Sequence, residues 1–180
     1  MPTPETTAAE WWQRGPLEGL LPVFQPSAHA ILQARDELMH ALTDFPDALL
    51  WQPLYGMASV GFHLQHITGV LDRLLTYAQG LSLTNEQLQY LQQEGKADGN
   101  QTCSELLFRV SYQVHKTLAA VGKMQADAPE LIRTIGRKKI PTTQLGLVFH
   151  AAEHMMRHTG QVLVTARVQL ELYQQATQKE

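Results

Sequence analysis

Four stretches of this chain space their apolar residues three and four apart, and no run of alternating apolar and polar residues is long enough to suggest a strand. That pattern restricts the fold to packed helices, each with one buried stripe. The first stretch opens at Ser27, a helix-capping residue type, and runs through Ile31, Ala34, Leu38, Ala41, Leu42 and Phe45 to Pro46. The second is capped by Ser59 and ends near Ala78, with Gly80 as its stop signal. Phe62, His66, Val70 and Leu74 line one stripe of it, and His63 and Ile67 the adjacent one. Thr102 to Glu105 has the form of a capping box, after which Leu107, Val110, Val114, Leu118 and Val121 mark a third helix stopping before Pro129. Thr142 or Thr143 starts the fourth and longest, through Leu147, Phe149, Ala152, Met155, Val162 and Ala166 to about Tyr173.

Between these, Thr84 to Glu94 is predicted to form a short helix, and the segments 47–57, 95–100 and 135–141 to be loops. The fold class expected is therefore all-α: an antiparallel four-helix bundle without a sheet. Pro2, Pro4, Pro16, Pro22 and Pro26 forbid a long helix before residue 27, so residues 1–26 read as an irregular arm, 27–175 as the bundle and 176–180 as a tail. Trp11 and Trp12 are expected to lie over the bundle surface.

Composition narrows the function classes. A net charge of −3 gives no electrostatic reason to expect a nucleic-acid partner, and the one tight basic cluster, Arg137-Lys138-Lys139, reads as a solvated loop. The single cysteine, Cys103, excludes a disulfide or thiolate-rich metal site within one chain. No run approaches the ~20 apolar residues of a membrane span, and Met1 to Glu10 carries acids and prolines but not the apolar core of a signal peptide, so the cytoplasm is the expected compartment.

Eight histidines are present, and five of them fall in two short segments. His150, His154 and His158 recur every four residues on the fourth helix, where neighbours at that spacing share a face and can share a metal. All three cannot, because His150 and His158 are separated by about 12 Å of helical rise while each ring must come within ~2.1 Å of one ion. One adjacent pair is thus available, and His63 or His66 on the second helix can complete a three-histidine set across the bundle. Such a set leaves coordination positions open. Neutral imidazole suits zinc, nickel and other late first-row metals alike. His29, His40 and His115 have no such company and are assigned to the surface or its boundary.

Two other motifs compete. His150-Ala-Ala-Glu153-His154 matches the H-x-x-E-H of inverted zinc metallopeptidases, but only 26 residues follow His154, and Glu171 lies on the same helix rather than on a distant one. Glu37-Leu-Met-His40 resembles half of a di-iron carboxylate site, whose second Glu-x-x-His is missing.

Laid out in this way, the chain resembles the DinB/YfiT-like superfamily of bacterial bundle proteins. Trp51 to Ile67 is similar to that family's Trp-containing loop and the helix carrying its single histidine. Phe149-His-Ala-Ala-Glu-His154-Met-Met-Arg-His158-Thr-Gly-Gln161 is similar to its signature on the last core helix, with Thr159 where many relatives carry Arg. The resemblance spans roughly Pro22 to Tyr173. By position it assigns His66 rather than His63, and the pair His154/His158 rather than His150/His154, as metal ligands. It implies zinc or nickel at the mouth of the bundle. Some relatives use that metal to activate a low-molecular-weight thiol in S-transfer or isomerisation; others are named hydrolases by analogy.

The function expected is that of a metal-dependent enzyme, of thiol S-transferase or hydrolase type, acting on a small molecule. The alternative is a non-catalytic, stress-linked bundle that binds metal or a ligand. His63, His150 and Gln161 are expected to line the pocket or support the ligands, and a homodimer is a further expectation. Metal is expected to leave below about pH 6, where free imidazole takes up a proton.

Overall fold

The computed structural model of the protein describes residues 9–97, 99–125 and 127–178. Five α-helices carry the fold: α1 (Gln25–Ala41), α2 (Val60–Ala78), α3 (Asn85–Gln93), α4 (Cys103–Val121) and α5 (Gln144–Thr177). The caps on α2 and α4 are those read from the sequence. Ser59 accepts from the Phe62 amide, and Thr102 and Glu105 form a reciprocal capping box. Thr143 caps α5, and Thr84 with Gln87 closes a second capping box on α3.

Three expectations are corrected. Helix α1 begins at Gln25, with Pro26 in its first turn and Ser27 buried inside it. Proline is tolerated there because first-turn amides have no intrahelical acceptor. A small antiparallel hairpin is present, β1 (Ile132–Ile135) and β2 (Ile140–Thr143), pairing Ile132 with Thr143 and Ile135 with Ile140. It showed no alternation because each strand is four residues long and Ile132 and Ile140 face solvent. Pro141 is tolerated because both strands are edges. Arg137, Lys138 and Lys139 occupy the exposed hairpin turn, with Gly136 and Lys139 at positive φ. Finally, only one of the two N-terminal indoles packs on the bundle. Trp11 donates Nε1–H to Asp36 Oδ2 at 2.6 Å and lies against α1, whereas Trp12 is 65 % exposed. Residues 1–8 of the arm and 179–180 of the tail lie outside the described residues; α5 itself continues to Thr177.

The helices run up, down, down and up. Phe24 at the start of α1, Val121 at the end of α4 and Val148 near the start of α5 share one apolar cluster. Gln144 at the start of α5 donates to the Ala78 carbonyl at the end of α2, 2.7 Å away. Neighbours α2/α5 and α1/α4 are thus antiparallel, while α1/α5 and α2/α4 run the same way. Parallel neighbours need a long return connection, and residues 79–102, including α3, supply it by climbing back along α2. The hairpin plugs the opposite end, Arg133 Nε donating to the same Ala78 carbonyl at 2.9 Å.

Ile31, Leu38, Leu64, Ile67, Leu71, Leu106, Val114 and Met155 fill the centre and are almost wholly buried. The Trp51 loop closes over the start of α2, where a Cβ on Gly61 would sit 2.8 Å from the indole ring. Among the described residues, no helix is long and apolar enough to cross a membrane.

Candidate metal centre

The antiparallel contact of α2 with α5 brings His66 level with His154 and His158. One ring nitrogen from each lies within 4.8 Å of the others, an arrangement that could hold a metal ion. His66 Nε2 faces His154 Nε2 at 2.9 Å, and the His158 ring lies 4.6 Å, centroid to centroid, from both other rings. In a tetrahedral site with nitrogens ~2.1 Å from the ion, adjacent nitrogens are about 3.4 Å apart, and the His66–His154 pair at 2.9 Å is about half an ångström short of that spacing. Phe62, one turn before His66, stacks on its ring at 5.3 Å with a 10° interplanar angle.

The second nitrogen of His66 is held from a direction no histidine spacing reveals. His66 Nδ1 lies 2.7 Å from Glu94 Oε2, and the other oxygen of Glu94 accepts from Arg73 Nη1 at 2.5 Å. A carboxylate is an acceptor, so the Nδ1 proton points to Glu94 and the Nε2 lone pair points to His154. Glu94 is buried, although it follows the last turn of α3, because the crossover presses against α2 at Gly69. A Cβ there would meet Arg73 Nη1 at 2.6 Å and Tyr90 Cε1 at 2.8 Å and would collide with the Glu94 carboxylate. Glycine inside a helix costs roughly 1 kcal/mol relative to alanine, a cost offset here by room for a buried ion pair.

Burial, and then the charge of His66, lowers the pKa of His154 to about 4; the same two causes, with further contributions from neighbouring groups, bring His158 to about 4. Both rings are therefore neutral, with lone pairs available, at physiological pH. The sign for stability follows. A folded-state pKa below the unfolded value of 6.5 means that, as pH falls from about 6.5 to 4, the unfolded chain takes up protons the folded chain refuses. Urea midpoints of the ion-free protein are expected to fall across that window, and less steeply in a His154→Gln/His158→Gln variant. Parallel slopes for the two proteins would contradict the neutral buried pair.

The remaining histidines divide. His63 is buried, and its Nδ1 meets His158 Nδ1 at 2.9 Å. It also lines an apolar-walled groove of about 540 Å³ together with Met57, Arg157, Gln161 and Val164. His150 stands edge-on to His154 with ring centroids 5.4 Å apart, its Nδ1 3.3 Å from Glu153. His150, Glu153 and His154 also bring one ligand atom each within 4.8 Å, sharing His154 with the first set. Like Glu94, Glu153 is paired with both an arginine, Arg157, and a histidine, His150, but unlike Glu94 its side chain is partly exposed. His40 and His115 face solvent, and His29 reaches the Gly15 carbonyl. Glu37 is bonded by Gln33 and, among the described residues, belongs to neither group that could hold a metal.

Sequence reading missed Glu94, Arg73 and Gly69. The one available signal was Gly69 itself, since a glycine in the interior of an apolar helix marks a close approach by another segment.

A helical bundle with three imidazoles converging between α2 and α5 defines a class of intra-bundle, histidine-lined candidate metal sites. The profile of the DinB superfamily matches residues 30–162, and the chain belongs to that superfamily. Its fold is shared with a conserved protein from Enterococcus faecalis of known crystal structure. That protein aligns with a TM-score of 0.62 at 15 % identity, covering 82 % of this chain and 96 % of the other. No protein of curated function matches significantly.

Proposed function

We propose that the protein is a metal-dependent enzyme in which His66, His154 and His158 hold one divalent ion, zinc or nickel, and a small molecule reacts beside it. The observation that carries this reading is the convergence of three imidazoles from two helices, with His66 braced by a buried carboxylate. Such an ion, when bound, supplies the Lewis acidity that makes water or a thiol acidic near neutral pH. Three protein donors leave room for that partner.

The chain's own groups support a thiol that arrives from outside. Cys103 is buried at the start of α4, and burial pushes its thiol up to about 11, so it is no nucleophile. The groove lined by His63 and Gln161 offers apolar walls for a substrate body, and His63 connects that groove to His158. Phe62 covers one face of His66 and limits access of bulk water from that side. His150 is assigned a supporting role beside His154. The same reading places the protein in the cytoplasm, with a homodimer as its assembly.

The test is metal content after purification without nickel resin, followed by thiol transfer to monochlorobimane from low-molecular-weight cell thiols. About one ion per chain and metal-dependent transfer are expected. One ion per chain with no turnover on thiol or hydrolase substrates would favour the non-catalytic alternative. A protein that retains no divalent ion would overturn both.

A further inference from the structure

We propose that Glu94, delivered by the α2–α4 crossover, is the positioning residue that fixes the ring and tautomer of His66, and that Arg73, Gly69 and Gly95 are placed to hold it there. This rests on the metal reading above. The two oxygens of Glu94 are divided between His66 Nδ1 at 2.7 Å and Arg73 Nη1 at 2.5 Å, so the carboxylate is fixed at both ends. It is nearly inaccessible, its side chain only 5 % exposed, which keeps water from competing for either bond.

The backbone around it is built for that approach. Gly69 leaves on α2 the space that the carboxylate occupies, which a Cβ there would fill. Gly95, at φ +80°, turns the chain immediately after Glu94, and a Cβ there would lie 2.8 Å from Phe62 Cδ2, the ring that stacks on His66. The Gly95 amide donates to Gln65 Oε1 at 2.8 Å, and Tyr90 donates its hydroxyl proton to the Gln65 carbonyl at 3.0 Å. The crossover is thus tied to α2 on both sides of Glu94, and the cation-binding nitrogen of His66 is oriented by a segment far from the histidines in sequence. A carboxylate on the distal nitrogen of a ligating imidazole fixes its tautomer and raises its basicity.

The experiment compares wild type, Glu94→Gln, Gly69→Ala and the surface control Glu171→Gln. Zn²⁺ affinity is measured by competition with a chromophoric chelator, the His66 tautomer by ¹⁵N NMR of the metal-free protein, and folding by circular dichroism. Wild type is expected to show the Nδ1–H tautomer. Glu94→Gln keeps an acceptor but loses the charge, and Gly69→Ala displaces the carboxylate; each is expected to weaken Zn²⁺ binding roughly 10–100-fold and to mix the tautomers. Glu171→Gln is expected to match wild type. A merely structural role would lower the melting temperature while leaving affinity and tautomer unchanged. Wild-type binding with both site variants within about twofold of it would overturn this assignment alone, given that outer partners ordinarily cost more. No Zn²⁺ binding by wild type would overturn the metal reading and this assignment with it.

Discussion

Alanine at His66, His154 or His158 is expected to empty the protein of tightly held metal, whereas His29→Ala and His115→Ala are expected to leave metal content unchanged. Each of the first three substitutions reduces three imidazoles to two. The loss should exceed the 10–100-fold that removal of an outer partner costs, so about 100-fold or more in affinity is anticipated. His29 and His115 are distant from the cluster, one reaching the Gly15 carbonyl and the other facing solvent. His63→Ala and His150→Ala fall between these extremes, retaining metal with reduced affinity or turnover. Metal content by inductively coupled plasma mass spectrometry reads all seven variants. Full occupancy in His66→Ala would contradict a site shared between α2 and α5.

The second large effect is on stability. Arg73→Met is expected to cost about 3–5 kcal/mol, because it leaves Glu94 buried without its cation. The side chains of Arg73 and Glu94 are only 10 % and 5 % exposed, so solvent does little to screen the loss. By contrast the Arg167–Glu171 pair is 77 % and 47 % exposed, and removing it should change stability by under about 1 kcal/mol. The double variant Arg73→Met/Glu94→Leu, which buries no charge, is expected to recover much of the single-variant loss. Urea unfolding of the metal-free proteins measures all of these. A double variant as unstable as Arg73→Met alone would show that packing around Gly69, and not the unpaired carboxylate, sets the cost.

The parts of this molecule legible in its sequence are those set by local chemistry. The caps at Ser59, Thr102 and Thr143 are decided within four residues, so α2, α4 and α5 start where expected. The i, i+4 spacing of His154 and His158 is likewise local. Choosing His66 over His63 was not: the two are three residues apart on adjacent stripes, and only the family resemblance separated them. In the structure His66 faces His154, while His63 meets His158 from the side of the groove. The up-down-down-up order was invisible to periodicity, which reports which face of a helix is buried but not which helix covers it. Glu94 was invisible for a related reason. It lies 28 residues from His66, beyond the end of a helix with no buried residue, and is brought in by the crossover. The hairpin escaped because its strands are four residues long and place Ile132 and Ile140 in solvent, so their sequence carries no apolar–polar alternation.

The most direct measurement is anomalous diffraction at the zinc or nickel edge from crystals of the metal-loaded protein. One peak is predicted, about 2.0–2.1 Å from a nitrogen of each of His66, His154 and His158, with Glu94 still on the far nitrogen of His66. A peak among His150, Glu153 and His154 instead, or none within the bundle, would contradict it.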